Sequence, residues 1–270
     1  MTSAPTNERL ADLALVAKAA RSAGEIAMTF FGQSPDVWWK NEGSSPVSAA
    51  DFAANDRLSD ILRSARPDYG WLSEETDDDS ARLGYETLFV VDPIDGTRAF
   101  IGAKKTWCVS VAVVHRGRPV AAALYAPALD EEFLAVADGA VTRNGSPISV
   151  AGPSAGPTRV ATATDMLDLL DPAYRETVER VPHIPSLAYR LALIADGRID
   201  ATLVKKNSHD WDLAAADLLL ERAGGQLVDF RGEPLQYNRA EVVQDHLCAG
   251  SATALPGLLQ HLRVPRAVDL

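Results

Sequence analysis

The sequence predicts an α+β first half joined to an α/β second half. Three observations carry this reading: apolar runs separated by turn dipeptides between residues 109 and 150, a Pro/Gly-rich stretch at 151–157, and strand-like segments alternating with helix-like ones from 159 to 230. At 270 residues the chain is long enough for one large core or two smaller ones.

Residues 7–31 place Leu10, Leu13, Val16, Ala17, Ala20, Ala23, Ala27 and Phe30 at helical spacing, which predicts an amphipathic helix. Residues 38–40 read as a strand entering a mobile loop at 41–46. Ser48 and Asp51, three apart, form a capping pair for a second helix carrying Leu58, Ile61 and Leu62. Residues 69–72 form a strand that ends in Ser73-Glu74-Glu75, and the Asp77-Asp78-Asp79 run beyond it is a solvated loop. Phe89-Val90-Val91 is a short buried strand with an abrupt end. Runs at 109–114, 120–125 and 132–136, with a hairpin at Asn144-Gly145, make a meander and hence an antiparallel sheet, one face covered by the opening helices. The linker then divides the chain into an N-terminal domain, 1–150, and a C-terminal domain, 151–270. Past it, 159–163 is strand-like, Asp171-Pro172 opens a helix, and Ser186 caps another that stops at Gly197. A strand at 199–204, a helix at 212–223 closed by Gly224-Gly225 and a strand at 226–230 complete the alternation.

An apolar fraction of 47% and a charged fraction of 23% are those of an ordinary soluble enzyme. A net charge of -11 without any sustained Lys/Arg run argues against a nucleic acid polymer as partner, though not against a small phosphorylated substrate. Cys108 and Cys248 stand far apart, so neither a disulfide framework nor a zinc site is expected. Glu8, Arg9 and Asp12 do not read as a leader, and no run is long enough for a membrane span. A cytoplasmic protein with no membrane partner is expected.

The chemistry concentrates in residues 89–100, FVVDPIDGTRAF. A strand running into Gly96-Thr97 and a helix start leaves outward N–H groups suited to phosphate. Asp92 and Asp95, three apart, would repel that anion. A divalent cation held by their oxygens resolves the conflict and bridges to the phosphate. The plainer alternative makes Asp92 a turn residue and Asp95 a helix cap, with Gly96 permitting the backbone angle.

This run resembles the first signature of the inositol monophosphatase family, with Gly102 departing from the polar or basic residue usual at the motif edge. Trp211-Asp212-Leu213-Ala214-Ala215-Ala216, ending in Ala223-Gly224-Gly225, resembles the second; helix capping is the other role open to Asp212. Lys40, eleven positions before Asp51, and Ser73-Glu74-Glu75 match further family positions. The resemblance implies a layered αβαβα sandwich and lithium-sensitive, Mg2+-dependent hydrolysis of small phosphate monoesters by a homodimer, with about two or three ions. Carried onto this chain, it gives Glu74, Asp92 and the Ile94 carbonyl to one ion, and Asp92, Asp95 and Asp212 to a second. Thr97, bonded to Asp51, would orient or deprotonate the attacking water, and Glu75 would support the metals. The N–H groups of Gly96 and Thr97 would bind the phosphate, with Lys40 also part of the site.

In the family's inositol phosphatases an acidic residue seven positions before the last metal aspartate accepts hydrogen bonds from inositol hydroxyls. Here that position is Lys205, followed by Lys206. An ammonium accepts no proton but pairs with a second phosphate. With SPVSAAD at 45–51, Tyr125-Ala126-Pro127 and Ser186-Leu187, this resembles the 3'(2'),5'-bisphosphate nucleotidase branch, which acts on 3'-phosphoadenosine 5'-phosphate; Ser186 and Lys205 are then expected to touch substrate. Inositol 1-phosphate is the next candidate and histidinol phosphate the third. A non-catalytic binding protein on the same fold is the reading from another class, and the intact ligand set argues against it.

Overall fold

Seven alanines and a leucine-valine stripe favour a long opening helix, and α1 spans Thr6–Met28. The computed structural model describes residues 6–33, 37–40 and 45–263, with backbone alone at residues 6, 37–40 and 45–47. Strands β1 (Val37–Lys40) and β2 (Ser45–Ser48) pair antiparallel, so part of the expected loop is strand. The predicted capping pair opens α2 (Ala49–Ala65), where Asp51 accepts from the Ser48 N–H at 2.8 Å. Next come β3 (Gly70–Ser73), β4 (Thr87–Asp95), α3 (Thr97–Ile101), β5 (Cys108–His115), β6 (Arg118–Ala126), β7 (Glu131–Val136), β8 (Val141–Arg143) and β9 (Ser146–Pro147). These seven strands form one sheet in chain order. Every neighbouring pair is antiparallel except β3 and β4. The predicted antiparallel sheet therefore has one parallel edge, because residues 74–86 supply the crossover that a parallel pair requires. Within that crossover Asp78 grips the buried Arg82 through two oxygens, so the acidic run is not simply solvated.

The second half contains β10 (Thr158–Ala161), α4 (Thr164–Leu167), α5 (Pro172–Arg175), β11 (Val178–Val181), α6 (Leu187–Ala195), β12 (Ala201–Val204), β13 (Ser208–His209), α7 (Asp210–Arg222), β14 (Gly225–Asp229), β15 (Val243–Gln244), β16 (Leu247–Ser251) and α8 (Leu255–Gln260). Its main sheet has the order β11-β10-β12-β16-β14. The first three strands are parallel, and β16 runs against both its neighbours. Two of these strands escape the sequence reading. The edge strand β11 is half charged, and β16 (LCAGS) lacks the β-branched residues that mark strands.

Side-chain alternation assembles the layers. Phe89 and Val91 of β4 pack with Val16, Ala20, Leu58 and Leu62 of α1 and α2. Leu88 and Val90 face the other way, into the core shared with Leu191 of α6 and Leu213 of α7. Those two helices also meet Leu227, Leu247 and Ala249 of the second sheet. The outer side of that sheet, with Val160, Leu203 and Cys248, is covered by Met166, Leu167, Leu255 and Leu258. The result is the layered αβαβα sandwich. Because β4 and β5 are buried on both faces, they read as continuous apolar runs without alternation.

Candidate active site

The first sheet carries the acidic motif further than its apolar run suggests. β4 does not stop at Val91; it continues to Asp95, with Asp92 opposite Ser110, Asp95 opposite Cys108, and a register shift between them. Pro93 has no N–H to donate, which fits a bulge at this point. The Ile94 N–H turns to Asp92 Oδ1 at 2.9 Å. Gly96 follows at φ 92°, and a Cβ there would lie 3.1 Å from that of Ser186, so both the left-handed backbone and the close approach call for glycine. The Thr97 hydroxyl reaches the Ile94 carbonyl at 3.1 Å and Asp51 Oδ1 at 3.4 Å.

Asp92, Asp95 and Asp212 each bring a carboxylate oxygen within 4.8 Å of the others. Asp212 arrives from the first turn of α7, which starts two residues earlier than expected; its Oδ2 accepts from the His209 N–H at 2.7 Å. Capping engages Oδ2, and a carboxylate oxygen of the same residue still reaches the cluster. Asp95 Oδ2 accepts from the Ser186 hydroxyl and, at 2.6 Å, from the Ala188 N–H at the start of α6. Burial pushes the Asp92 carboxyl well above the usual range, and the charges of Glu74, Asp95, Asp212 and Asp51 push it further. Burial raises Asp212 in the same way, followed by Asp95 and Glu74. Asp95 is also raised by burial, opposed by its bonds to Ser186, Ala188 and Leu187 and by the Arg190 charge. Asp51, with Oδ2 held by both the Ser48 N–H and hydroxyl, is pushed to about 6, by burial first.

Like charges this close and this buried are compatible only when protonated or bridged by a cation. The donors are hard oxygens, which suit a divalent ion of the Mg2+ type. Glu74, whose backbone bonds Val91 beside β4 at 3.3 Å, adds its charge to Asp92 and Asp212, while Glu75 adds its own to Asp51.

The remaining expected residues are distributed unevenly. Lys40 ends β1, and its side chain lies outside the described residues. Ser186 is fully buried, with its hydroxyl on Asp95 and its cap accepting from the Tyr189 N–H at 3.1 Å. Lys205 is exposed and bonds Asp165 at 2.6 Å. Arg190, not anticipated, lies buried close enough for the Asp95 charge to bear on it. Its signal was present: a lone arginine inside the apolar helix LAYRLALIA.

A five-layer sandwich that gathers carboxylates at a strand end beside a glycine turn defines a class, the metal-dependent phosphomonoester hydrolases. The profile of the inositol monophosphatase family matches residues 9–263, and the chain belongs to that family. It is 30% identical to the histidinol-phosphatase of Chlorobaculum parvum, over 82% of this chain and 86% of that one. It is 29% identical to the 3'(2'),5'-bisphosphate nucleotidase CysQ of Escherichia coli K12, over 84% and 94%. The crystal structure of the extragenic suppressor protein suhB from Bartonella henselae superposes with a TM-score of 0.81 at 26% identity, covering 96% of this chain and 100% of that one. Among the described residues no helix is long and apolar enough to cross a membrane.

Proposed function

We propose that this enzyme is a Mg2+-dependent 3'(2'),5'-bisphosphate nucleotidase that converts 3'-phosphoadenosine 5'-phosphate to AMP and phosphate. The observation that carries the chemistry is the meeting of Asp92, Asp95 and Asp212 beside the Thr97–Asp51 pair. Glu74, Asp92, the Ile94 carbonyl, Asp95 and Asp212 would hold the ions, which when bound neutralise phosphoryl charge and make water a better nucleophile. The single hydroxyl proton of Thr97 lies within reach of the Ile94 carbonyl and of Asp51; it moves to Asp51 as the hydroxyl oxygen takes a proton from the attacking water. The N–H groups of Gly96 and Thr97 receive the phosphoryl oxygens. Glu75 keeps negative charge beside Asp51, which favours proton uptake there.

Lys205, at the position where an inositol phosphatase has an acid, supports the nucleotide reading, as does the E. coli relative. Its exposed bond to Asp165 is of the kind a substrate phosphate displaces at little cost. Ser186 serves the site through Asp95, and Lys40 is assigned to the substrate by its family position alone. Buried, unpaired Cys108 and Cys248 suit a reducing, cytoplasmic setting, and a homodimer completes the reading. Inositol 1-phosphate is the second substrate, supported by the family itself; the histidinol-phosphatase relative supports a third.

Phosphate release with and without Mg2+, on adenosine bisphosphate, inositol phosphate, histidinol phosphate and fructose bisphosphate, tests this. A preference for the adenosine ester is expected. A preference of about tenfold or more for inositol phosphate, ~1.4 kcal/mol, sinks the nucleotide reading. Asp92→Asn, which takes away a carboxylate that would hold the ions, should lower turnover by orders of magnitude; near wild-type turnover would refute the ligand assignment.

A further inference from the structure

Helix α2 reaches the active site twice. Asp51, in its first turn, meets Thr97, and Asn55, one turn later on the same face, meets the end of β3. Asn55 is 8% exposed and Ser73, the last residue of β3, is 2% exposed. The Ser73 hydroxyl donates to Asn55 Oδ1 at 2.7 Å, and the same oxygen accepts from the Glu75 N–H at 3.2 Å. A hydroxyl carries one proton. With a lone pair turned to Glu75, that proton needs an acceptor elsewhere, and Asn55 supplies it.

Three successive N–H groups hold the turn into which β3 runs. Glu74 donates to the Val91 carbonyl at 3.3 Å, Glu75 to the Ser73 hydroxyl, and Thr76 to the Ser73 carbonyl at 3.5 Å. Two of these bonds end on backbone. The bond from Glu75 ends on a side chain, whose rotamer is fixed from outside the strand by Asn55. Because Glu74 and Glu75 leave the sheet at this turn, the Ser73 rotamer helps to set the path of both. In this way α2 ties down the turn after β3 through Asn55 and the turn after β4 through Asp51. Packing alone does not call for an amide at position 55. Ala54 and Leu58 of the same helix pack in one core with Phe89 and Val91, and a buried amide among such neighbours is unfavourable unless it is bonded.

We propose that Asn55 is a positioning residue for Glu74 and Glu75: by orienting the Ser73 hydroxyl it fixes the turn that carries both glutamates, and so raises the affinity of the site for Mg2+. This rests on the assignment of Glu74 as a metal ligand made above, but not on the identity of the ester.

The test measures Mg2+ binding by calorimetry and the melting temperature of the metal-free protein, in the wild type and in Asn55→Leu, Asn55→Asp, Ser73→Ala, Glu74→Gln and the double variant Asn55→Leu/Ser73→Ala. Asn55→Leu and Ser73→Ala should each weaken Mg2+ binding by about tenfold, the low end of what partners of ligands contribute. The double variant should lose little beyond the worse single one, because Asn55 acts through Ser73. Asn55→Asp keeps an acceptor in place and should stay within about threefold of the wild type. A positioning role makes Mg2+ affinity follow the presence of that acceptor, whereas a merely structural role makes it follow the melting temperature. Unchanged affinity in Asn55→Leu and Ser73→Ala, losses that multiply in the double variant, or an Asn55→Asp protein as weak as Asn55→Leu would each overturn the proposal. If Asn55→Leu does not fold, Ser73→Ala and Asn55→Asp carry the test. Glu74→Gln should weaken binding at least as much as Asn55→Leu. Full affinity in Glu74→Gln would overturn the ligand assignment and this proposal with it, while a loss there beside an unaffected Asn55→Leu would overturn the positioning role alone. If no ester is hydrolysed, the phosphatase reading fails by itself, and the Mg2+ affinities still decide the role of Asn55.

Discussion

The Thr97 hydroxyl stands 3.4 Å from the Asp51 carboxylate across 46 positions of chain. Neither residue reaches the other through its own element. Asp51 is held at the start of α2 by Ser48, and Thr97 is held at the start of α3 by the Ile94 carbonyl.

If the pair handles the proton of the attacking water, Asp51→Asn and Thr97→Val should each lower kcat by about 10²–10⁴ with little change in KM. Residues acting as one unit are not additive, so the double variant should lose little beyond the worse single one. Steady-state kinetics on all three variants checks this; losses that multiply would show that the two act separately.

The Ser186 hydroxyl donates to Asp95, accepts from the Tyr189 N–H and meets Cys108 Sγ at 3.4 Å, so it has three contacts to lose. Removing its hydroxyl in Ser186→Ala takes a cap from α6, at about 0.5–2 kcal/mol, and a donor from Asp95. Weakening the partner of a ligand typically costs about 10–100-fold in metal affinity. Thermal melting reports the first effect and Mg2+ titration calorimetry the second. A lower melting temperature with unchanged Mg2+ affinity would show that Ser186 serves the helix alone.

Away from the site, burial pushes the Asp217 carboxyl up to about 6, against the pull of Arg118 at 3.3 Å and the Tyr237 hydroxyl at 3.0 Å, with Glu221 adding to the rise. A raised carboxyl binds its proton more tightly folded than unfolded. Its contribution is therefore complete below about pH 4 and is lost as pH rises through 6, roughly 3 kcal/mol for a shift of this size. Asp217→Asn keeps an acceptor for Tyr237, and Arg118 retains Glu221 and the Leu235 carbonyl. Denaturant unfolding should then show the variant gaining on the wild type between pH 4 and 7. A stability difference that stays flat over that range would contradict the shift.

The linear order of residues was enough for whatever is local. The glycine turn at Gly96, the cap at Ser48, the helix beginning near Asp212 and the carboxylates of the acidic motif all follow from neighbours a few positions apart, where spacing dictates geometry. The signatures extended this to the layered sandwich. Contacts across long separations were not legible. The continuation of β4 through a bulge, the parallel β3–β4 edge, the Asp95–Ser186 bond across 91 positions and the approach of Arg190 to Asp95 depend on how whole sheets and helices stack. A side chain's direction at such a junction is set by backbone paths that converge only when the layers pack, so residue identity alone could nominate Asp92, Asp95 and Asp212 but could not say what surrounds them.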